Sequence, residues 1–246
     1  MEHENKIEFR LLGRDALFTD PLTKLGGEKF TYQIPTYQAL KGVCESIYWK
    51  PTLVWVVDKV RIMKPIRTQS KGIRPIHYQN EKNDLSIYTY LHDVEYQVQA
   101  HFEWNENRPD LAQDRNENKH HCIAKRMVER GGRRDVFLGT RECQAYVEPC
   151  AFGEGKGYYD GMDLSFGLML HGITYPDEAS SPETIGKMAV RFWTPTMQDG
   201  VIQFIRPEEC TVLRVIGEKP AKSFVYQENF IGLEEFEREG DINGLD

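Results

Sequence analysis

Six basic side chains, Lys59, Arg61, Lys64, Arg67, Lys71 and Arg74, fall within residues 59–74 with no acid between them. Like charges repel, so this density on a folded surface points either to a polyanionic partner or to a solvated face. A second basic cluster spans residues 115–134. The net charge of -7 conceals this asymmetry: residues 1–150 hold 23 Lys and Arg against 21 Asp and Glu, and residues 151–246 hold 8 against 17. The first part is therefore slightly basic and the second strongly acidic. The five cysteines, Cys44, Cys122, Cys143, Cys150 and Cys210, contain no Cys-x-x-Cys pair, so neither a disulfide framework nor a thiolate zinc site is indicated. Adjacent His120, His121 and Cys122 have poor spacing for a metal, and no metal or other cofactor is expected. Gly153-x-Gly155-x-Gly157 contains Lys156, but Gly157 stands where a phosphate loop needs Ser or Thr, so a hairpin turn is the expectation. His92 and His171 are expected to be structural.

With 246 residues, 40% apolar and 28% charged, the chain is long enough for a substantial core and too apolar for a disordered or collagen-like class. No apolar run approaches the roughly 18 residues of a spanning helix, and the first residues lack the pattern of a signal peptide. A cytoplasmic protein without a membrane partner is expected.

Hydrophobic periodicity gives the elements. Ile7, Phe9 and Leu11 alternate as a first strand, and Pro35-Thr36 opens a helix whose Tyr37, Leu40, Cys44 and Ile47 share one face. Leu53 to Val57, extended by Val60 and Ile62, is a second strand that Pro65 ends. The clearest strand follows, with Val94, Tyr96, Val98, Ala100, Phe102 and Trp104 alternating with polar residues. A second helix from about Asn118 carries Ile123, Met127 and Val128 and stops at Gly131-Gly132. Cys143, Ala145 and Val147 form a fourth strand. The order β-α-β-β-α-β is the ferredoxin-like (RRM-like) arrangement of an α+β protein, two helices on one face of an antiparallel sheet. Loops are expected at 14–35 and 65–93. Residues 151–246, with turn-marking glycines and short β-prone pieces at Val190, Phe192, Val201 and Phe204, are expected to form a second, small antiparallel β domain with an acidic tail.

Several long motifs recur in order. Phe18-Thr19-Asp20-Pro21-Leu22-Thr23-Lys24-Leu25-Gly26-Gly27-Glu28-Lys29, Pro35-Thr36-Tyr37-Gln38-Ala39-Leu40-Lys41-Gly42 and Ser46-Ile47-Tyr48-Trp49-Lys50-Pro51 lie in the first quarter. Arg108-Pro109-Asp110-Leu111-Ala112, Asp114-Arg115-Asn116-Glu117, Lys119-His120, Gly131-Gly132-Arg133-Arg134-Asp135, Arg141-Glu142-Cys143-Gln144 and Gly200-Val201-Ile202-Gln203-Phe204 follow. In these motifs the chain resembles the CRISPR-associated Cas family five, subtype I-C (Dvulg). The resemblance implies a ferredoxin-like domain and a small β domain. It also implies an endoribonuclease that cuts the CRISPR repeat transcript (pre-crRNA) and then stays on the 5′ handle as a subunit of the type I-C interference (Cascade) complex. Its partners would be the repeat RNA and the other subunits of that complex. The family's catalytic tyrosine, lysine and histidine fall on Tyr48, Lys119 and His120.

These residue types suit metal-independent cleavage, in which the 2′-hydroxyl beside the scissile phosphate attacks it and the 5′ oxygen leaves. Products with a 2′,3′-cyclic phosphate and a 5′-hydroxyl follow. Such a reaction needs a base, an acid and a cation for the charge that develops on phosphorus. Imidazole carries protons near neutral pH, so His120 is a base or an acid. Lys119 supplies a point charge, and Tyr48 could position the 2′-hydroxyl or donate a proton. Tyr48 closes the first helix where Lys119 and His120 open the second, and a helix N-terminus favours a phosphate. Successive helical residues point about 100° apart, so one imidazole faces the cleft. His120 is the expected one, and His121 is a phosphate contact or a bystander. Arg67, Lys71, Arg74, Arg115, Arg133 and Arg134 are candidate RNA contacts, with Lys24, Lys29 and Lys41 weaker ones. Asp110, Asp114 and Asp135 are expected to pair with arginines. Base stacking across the open sheet is not expected, because the aromatic signature of ordinary RRM proteins is absent. The alternatives are a non-catalytic subunit that holds the 5′ handle and, more distantly, a metal-dependent nuclease.

Overall fold

The computed structural model describes residues 4–21, 23, 27–75, 85–179 and 182–218. Lys24 and the acidic tail lie outside the described residues. Alternating apolar residues build the central strands β1 (Ile7–Ala16), β2 (Leu53–Ile62), β4 (Ser86–Trp104) and β6 (Gln144–Pro149). They lie side by side in the order β6-β1-β4-β2, all antiparallel. This is the strand order of a ferredoxin-like unit. Helices α1 (Tyr37–Ile47) and α2 (Glu117–Glu129) pack together over it, α1 on β2 and α2 on β1 and β6. The buried set includes Phe9, Leu11, Val98, Ala100 and Phe102 from the sheet, with Leu40, Val43, Cys44 and Ile47 from α1.

Both helices start on side-chain caps. Thr36 accepts the Ala39 amide at 3.1 Å and Asn116 accepts the Lys119 amide at 3.0 Å, each satisfying an orphan donor of the first turn. On α2 the fully buried residues are His120, Ala124 and Val128, spaced four apart along one face, while Ile123 and Met127 are half-buried beside them. That stripe turns His120 inward. Gly131 and Gly132, at φ of 80° and 111°, end the helix in a conformation that L side chains rarely adopt.

Two expectations change. The segment 65–93 is not simply a loop: β3 (Thr68–Ile73) pairs antiparallel with the first part of β4, which runs 19 residues. The polar residues of β3 carry no alternation, because the hairpin buries little. The second face of the sheet is also not open. Gln97 and His101 are buried there, and residues 153–157 fold over it rather than forming an isolated hairpin. The Gly153 amide donates to Gln97 Oε1 at 2.9 Å, and the guanidinium of buried Arg61 donates to the carbonyls of Glu154 and Gly155 and to Asp160.

The remaining described strands are β5 (Val136–Phe137), β7 (Leu164–Ser165), β8 (Met169–Thr174), β9 (Lys187–Trp193), β10 (Thr196–Gln198), β11 (Val201–Gln203) and β12 (Val212–Glu218). β5 pairs with β6 at one edge. β11, β10 and β7 continue the main sheet beyond β2, while β8, β9 and β12 form a second antiparallel sheet. Residues after 150 are thus β-rich, and they divide between extending the first sheet and building another. His171 is buried in this part, stacked on Tyr37 at 4.4 Å with Nε2 against the Ile205 carbonyl at 2.9 Å. Burial and the nearby Arg191 charge push its pKa down to about 4. Among the described residues no helix is long and apolar enough to cross a membrane, and no group of His, Cys, Asp and Glu is arranged to hold a metal.

Candidate active site

Tyr48 is the residue at which α1 ends. Its backbone is extended (φ -157°, ψ 126°), and its amide still closes the helix by donating to the Cys44 carbonyl at 2.9 Å. The chain thereby turns the phenol toward the start of α2. There the Tyr48 hydroxyl meets His120 Nδ1 at 2.7 Å. Both residues are buried, at 1% and 0% exposure. The other side of the imidazole is met by oxygens of Asp114: Nε2 lies 2.8 Å from its backbone oxygen and 3.4 Å from Oδ2. Two acceptors require a proton on Nε2, so in the neutral ring the lone pair lies at Nδ1, where the Tyr48 hydroxyl donates. Phe102 and Trp104 contact the imidazole edge-to-face, at centroid distances of 6.3 and 5.7 Å. The ring is therefore held by apolar walls and by polar contacts at both nitrogens.

Lys119 points the other way, to the surface, with 49% of its side chain exposed and its ammonium 2.6 Å from Asp114 Oδ1. The third partner of that carboxylate is Thr52, whose hydroxyl donates to Oδ2 at 2.9 Å. Hydrogen bonds from Lys119 and Thr52 hold the Asp114 carboxyl below the usual carboxylate range. Burial and the Asp114 charge raise the Tyr48 phenol above its ordinary value, while Arg133 opposes them. Arg133 reaches this neighbourhood because the turn after Gly131-Gly132 docks on the end of α1. The Arg133 amide donates to Ser46 and Ile47 carbonyls, each at 3.2 Å, and the Arg134 amide to Ser46 at 3.0 Å. Both arginine side chains are exposed. Tyr48, Lys119, His120 and Arg133 thus come together at two helix ends. The Lys119 and Arg133 side chains are exposed there.

Other candidate contacts are placed differently. Lys41 is buried, 4% exposed, with its ammonium bonded to Glu178 and 3.7 Å from Glu45; an inward position on α1 leaves it no surface to offer RNA. His121 turns aside to the Lys6 carbonyl at 2.9 Å, joining α2 to the start of β1. Arg115 is bonded to Glu106 at 3.1 Å and to the Asn105 carbonyl at 3.0 Å. Lys71 pairs with Asp15 at 2.5 Å, while Arg67 and Arg74 at the ends of β3 are exposed. Lys29 lies over the Tyr88 ring at 4.8 Å. Asp110 pairs with Arg108 at 2.7 Å as expected of a neighbouring arginine, but Asp114 pairs with Lys119 instead. Sequence reasoning missed Thr52 and the role of Asp114. Asp114 lies two residues before the Asn116 cap of the helix that carries Lys119, and that spacing was the available signal.

Comparison with known proteins places the chain among CRISPR-associated proteins. Residues 6–205 match the Cas5d model of the CRISPR-associated protein (Cas_Cas5) family. A protein of Mannheimia succiniciproducens named CRISPR pre-crRNA endoribonuclease Cas5d is 26% identical over 227 residues, covering 80% of this chain and 94% of that protein. One of the same name from Thermus thermophilus is 24% identical over 187 residues, covering 72% and 77%. Among solved structures, the functionally uncharacterized protein SMU1763c of Streptococcus mutans is similar, with a TM-score of 0.70 and 37% identity over 85% of this chain and 96% of that one. A structure described as a CRISPR-associated protein gives 0.69 and 34%, with the same coverage.

Proposed function

Since this chain belongs to the Cas5d family of CRISPR-associated proteins, we propose that it is an endoribonuclease that cuts CRISPR repeat RNA and remains on the 5′ handle as a subunit of the type I-C interference complex. Two relatives carry the name CRISPR pre-crRNA endoribonuclease, and the match extends over most of each. The observation that carries the reading is the buried 2.7 Å contact between the Tyr48 hydroxyl and His120 Nδ1, beside an exposed ammonium on Lys119. A phenol whose proton is already shared with imidazole accepts a proton from a ribose 2′-hydroxyl without a metal. Lys119, which gives one N–H to Asp114 and has others to offer, donates to the phosphate and balances the charge that grows on phosphorus. Arg133 and Arg134, exposed beside the pair, guide the backbone toward it.

The burial of Tyr48 and His120 favours a second reading, a packed structural pair in a subunit that holds the 5′ handle without cutting. The two readings separate when purified protein is incubated with its own repeat RNA in EDTA. The nuclease gives a 2′,3′-cyclic phosphate and a 5′-hydroxyl, and His120→Ala binds the RNA but leaves it whole. Uncut RNA with wild-type protein supports the binding subunit, and an absolute need for Mg²⁺ would point to metal-dependent chemistry.

A further inference from the structure

Asp114 touches both α2 members of the site and a residue beyond them. Its backbone oxygen receives His120 Nε2 at 2.8 Å, Oδ1 receives Lys119 Nζ at 2.6 Å, and Oδ2 receives the Thr52 hydroxyl at 2.9 Å. The residue ends a short 3-10 segment, Pro109–Asp114, in which no residue is buried. With Leu111 only half-buried, polar contacts place the carbonyl, among them the Asn116 amide, which donates to the same oxygen at 2.8 Å. Beside it, Arg115 bonds to the Asn105 carbonyl, and Thr52 in turn accepts the Asn105 amide through its own carbonyl at 2.9 Å. The carboxylate therefore ties the start of α2 to the entrance of β2, and the same residue's carbonyl is aimed at the imidazole.

Resting on the nuclease reading above, we infer that Asp114 is a positioning residue: its carboxylate, pinned between Thr52 and Lys119, fixes its own carbonyl on His120 Nε2 and so keeps Nδ1 unprotonated for Tyr48. The consequence is a directed relay. As the ribose 2′ oxygen bonds to phosphorus, its proton passes to the Tyr48 oxygen while the Tyr48 proton passes to His120 Nδ1, giving an imidazolium faced by the Asp114 carboxylate. The bond from phosphorus to the 5′ oxygen breaks, that oxygen takes a proton from solvent water, and the imidazolium returns its proton to the hydroxide left behind. With the other tautomer Nδ1 carries a proton, Tyr48 has no acceptor, and the first transfer cannot begin.

The test combines single-turnover cleavage in EDTA, RNA binding, and the ¹⁵N signature of the His120 side chain in wild type, Asp114→Asn and Asp114→Ala. Supporting groups of this kind are typically worth ~10–100-fold. The Ala variant is expected to cut ~30–100-fold more slowly at saturating RNA. Its RNA affinity should be equal or higher, because a negative charge leaves the phosphate's approach. A merely structural defect lowers both. Wild-type His120 should show a single Nε2–H tautomer and the Ala variant a mixture. If Asp114→Ala does not fold, Asp114→Asn, which keeps the shape and loses the charge, carries the comparison. A variant that cuts at the wild-type rate, or retains one Nε2–H tautomer, overturns the inference. Wild-type protein that leaves RNA uncut defeats the nuclease reading instead, and the tautomer measurement still decides the role of Asp114.

Discussion

Tyr48→Phe removes one oxygen from the centre of the proposed relay and leaves the ring in place. In the wild type that oxygen is the partner of His120 Nδ1 at 2.7 Å, inside a site where both residues are buried. Without it the buried nitrogen loses its donor, which costs about 1–3 kcal/mol. For a chain of this length each kcal/mol lowers the melting temperature by roughly 2–4 °C, so a fall of roughly 2–12 °C is expected. The effect on chemistry is larger: with no phenolic proton to share, the rate at saturating repeat RNA should drop by ~10²–10⁴. RNA affinity should hold, because Arg133, Arg134 and Lys119 keep their places. The assay is single-turnover cleavage in EDTA, with binding and thermal unfolding measured on the same preparation. A variant that melts earlier but cuts at the wild-type rate would refute the reasoning, because the Tyr48–His120 hydrogen bond would then serve packing alone.

Reversing charge at Arg133 and Arg134 should weaken RNA binding and reduce the slope of log affinity against log salt by about 0.7–0.9 for each phosphate that is no longer neutralised, as read by filter binding across a salt series. Gly132→Ala should destabilise the fold and impair cutting, because φ at this position is 111° and a Cβ would sit 3.1 Å from the Arg134 carbonyl; thermal unfolding and cleavage read both effects. His171 predicts an acid-side loss of stability. Its folded pKa of about 4 lies below the unfolded value of about 6.5, so its neutral form is favoured by folding. The unfolded chain therefore takes up a proton first as pH falls, and stability is lost between about 6.5 and 4, by roughly 3 kcal/mol in all. A melting temperature that follows pH in wild type and is flatter in His171→Gln would bear this out.

Strand and helix positions were legible because their signals are local. Alternation marks Val94 to Trp104, Pro35-Thr36 with the spacing of Tyr37, Leu40, Cys44 and Ile47 marks the first helix, and Ile123, Met127 and Val128 before Gly131-Gly132 mark the second. The β3 hairpin was illegible because Thr68–Ile73 is mostly exposed and polar, so burial imposes no pattern on it. The polar face of β4 misled for another reason. Gln97 and His101 look solvent-facing by alternation, yet distant residues 153–157 and Asp58 satisfy them inside. Lys41 shows the same limit: its burial depends on Glu178, 137 residues away. At the site, the two helix ends placed Tyr48 near His120, and the inward stripe of His120, Ala124 and Val128 separates the two adjacent histidines. The proton arrangement around the imidazole depends on the Asp114 carbonyl, and no pattern of residue types reports a backbone oxygen.

The most direct measurement is a structure of the protein bound to its repeat RNA with a 2′-deoxy sugar at the scissile position, which stops the reaction before it starts. The scissile phosphate should sit against the Lys119 ammonium, with the C2′ edge of its ribose turned to the Tyr48 hydroxyl and His120 behind. A scissile link held elsewhere on the protein, out of reach of all three side chains, would contradict the proposed chemistry.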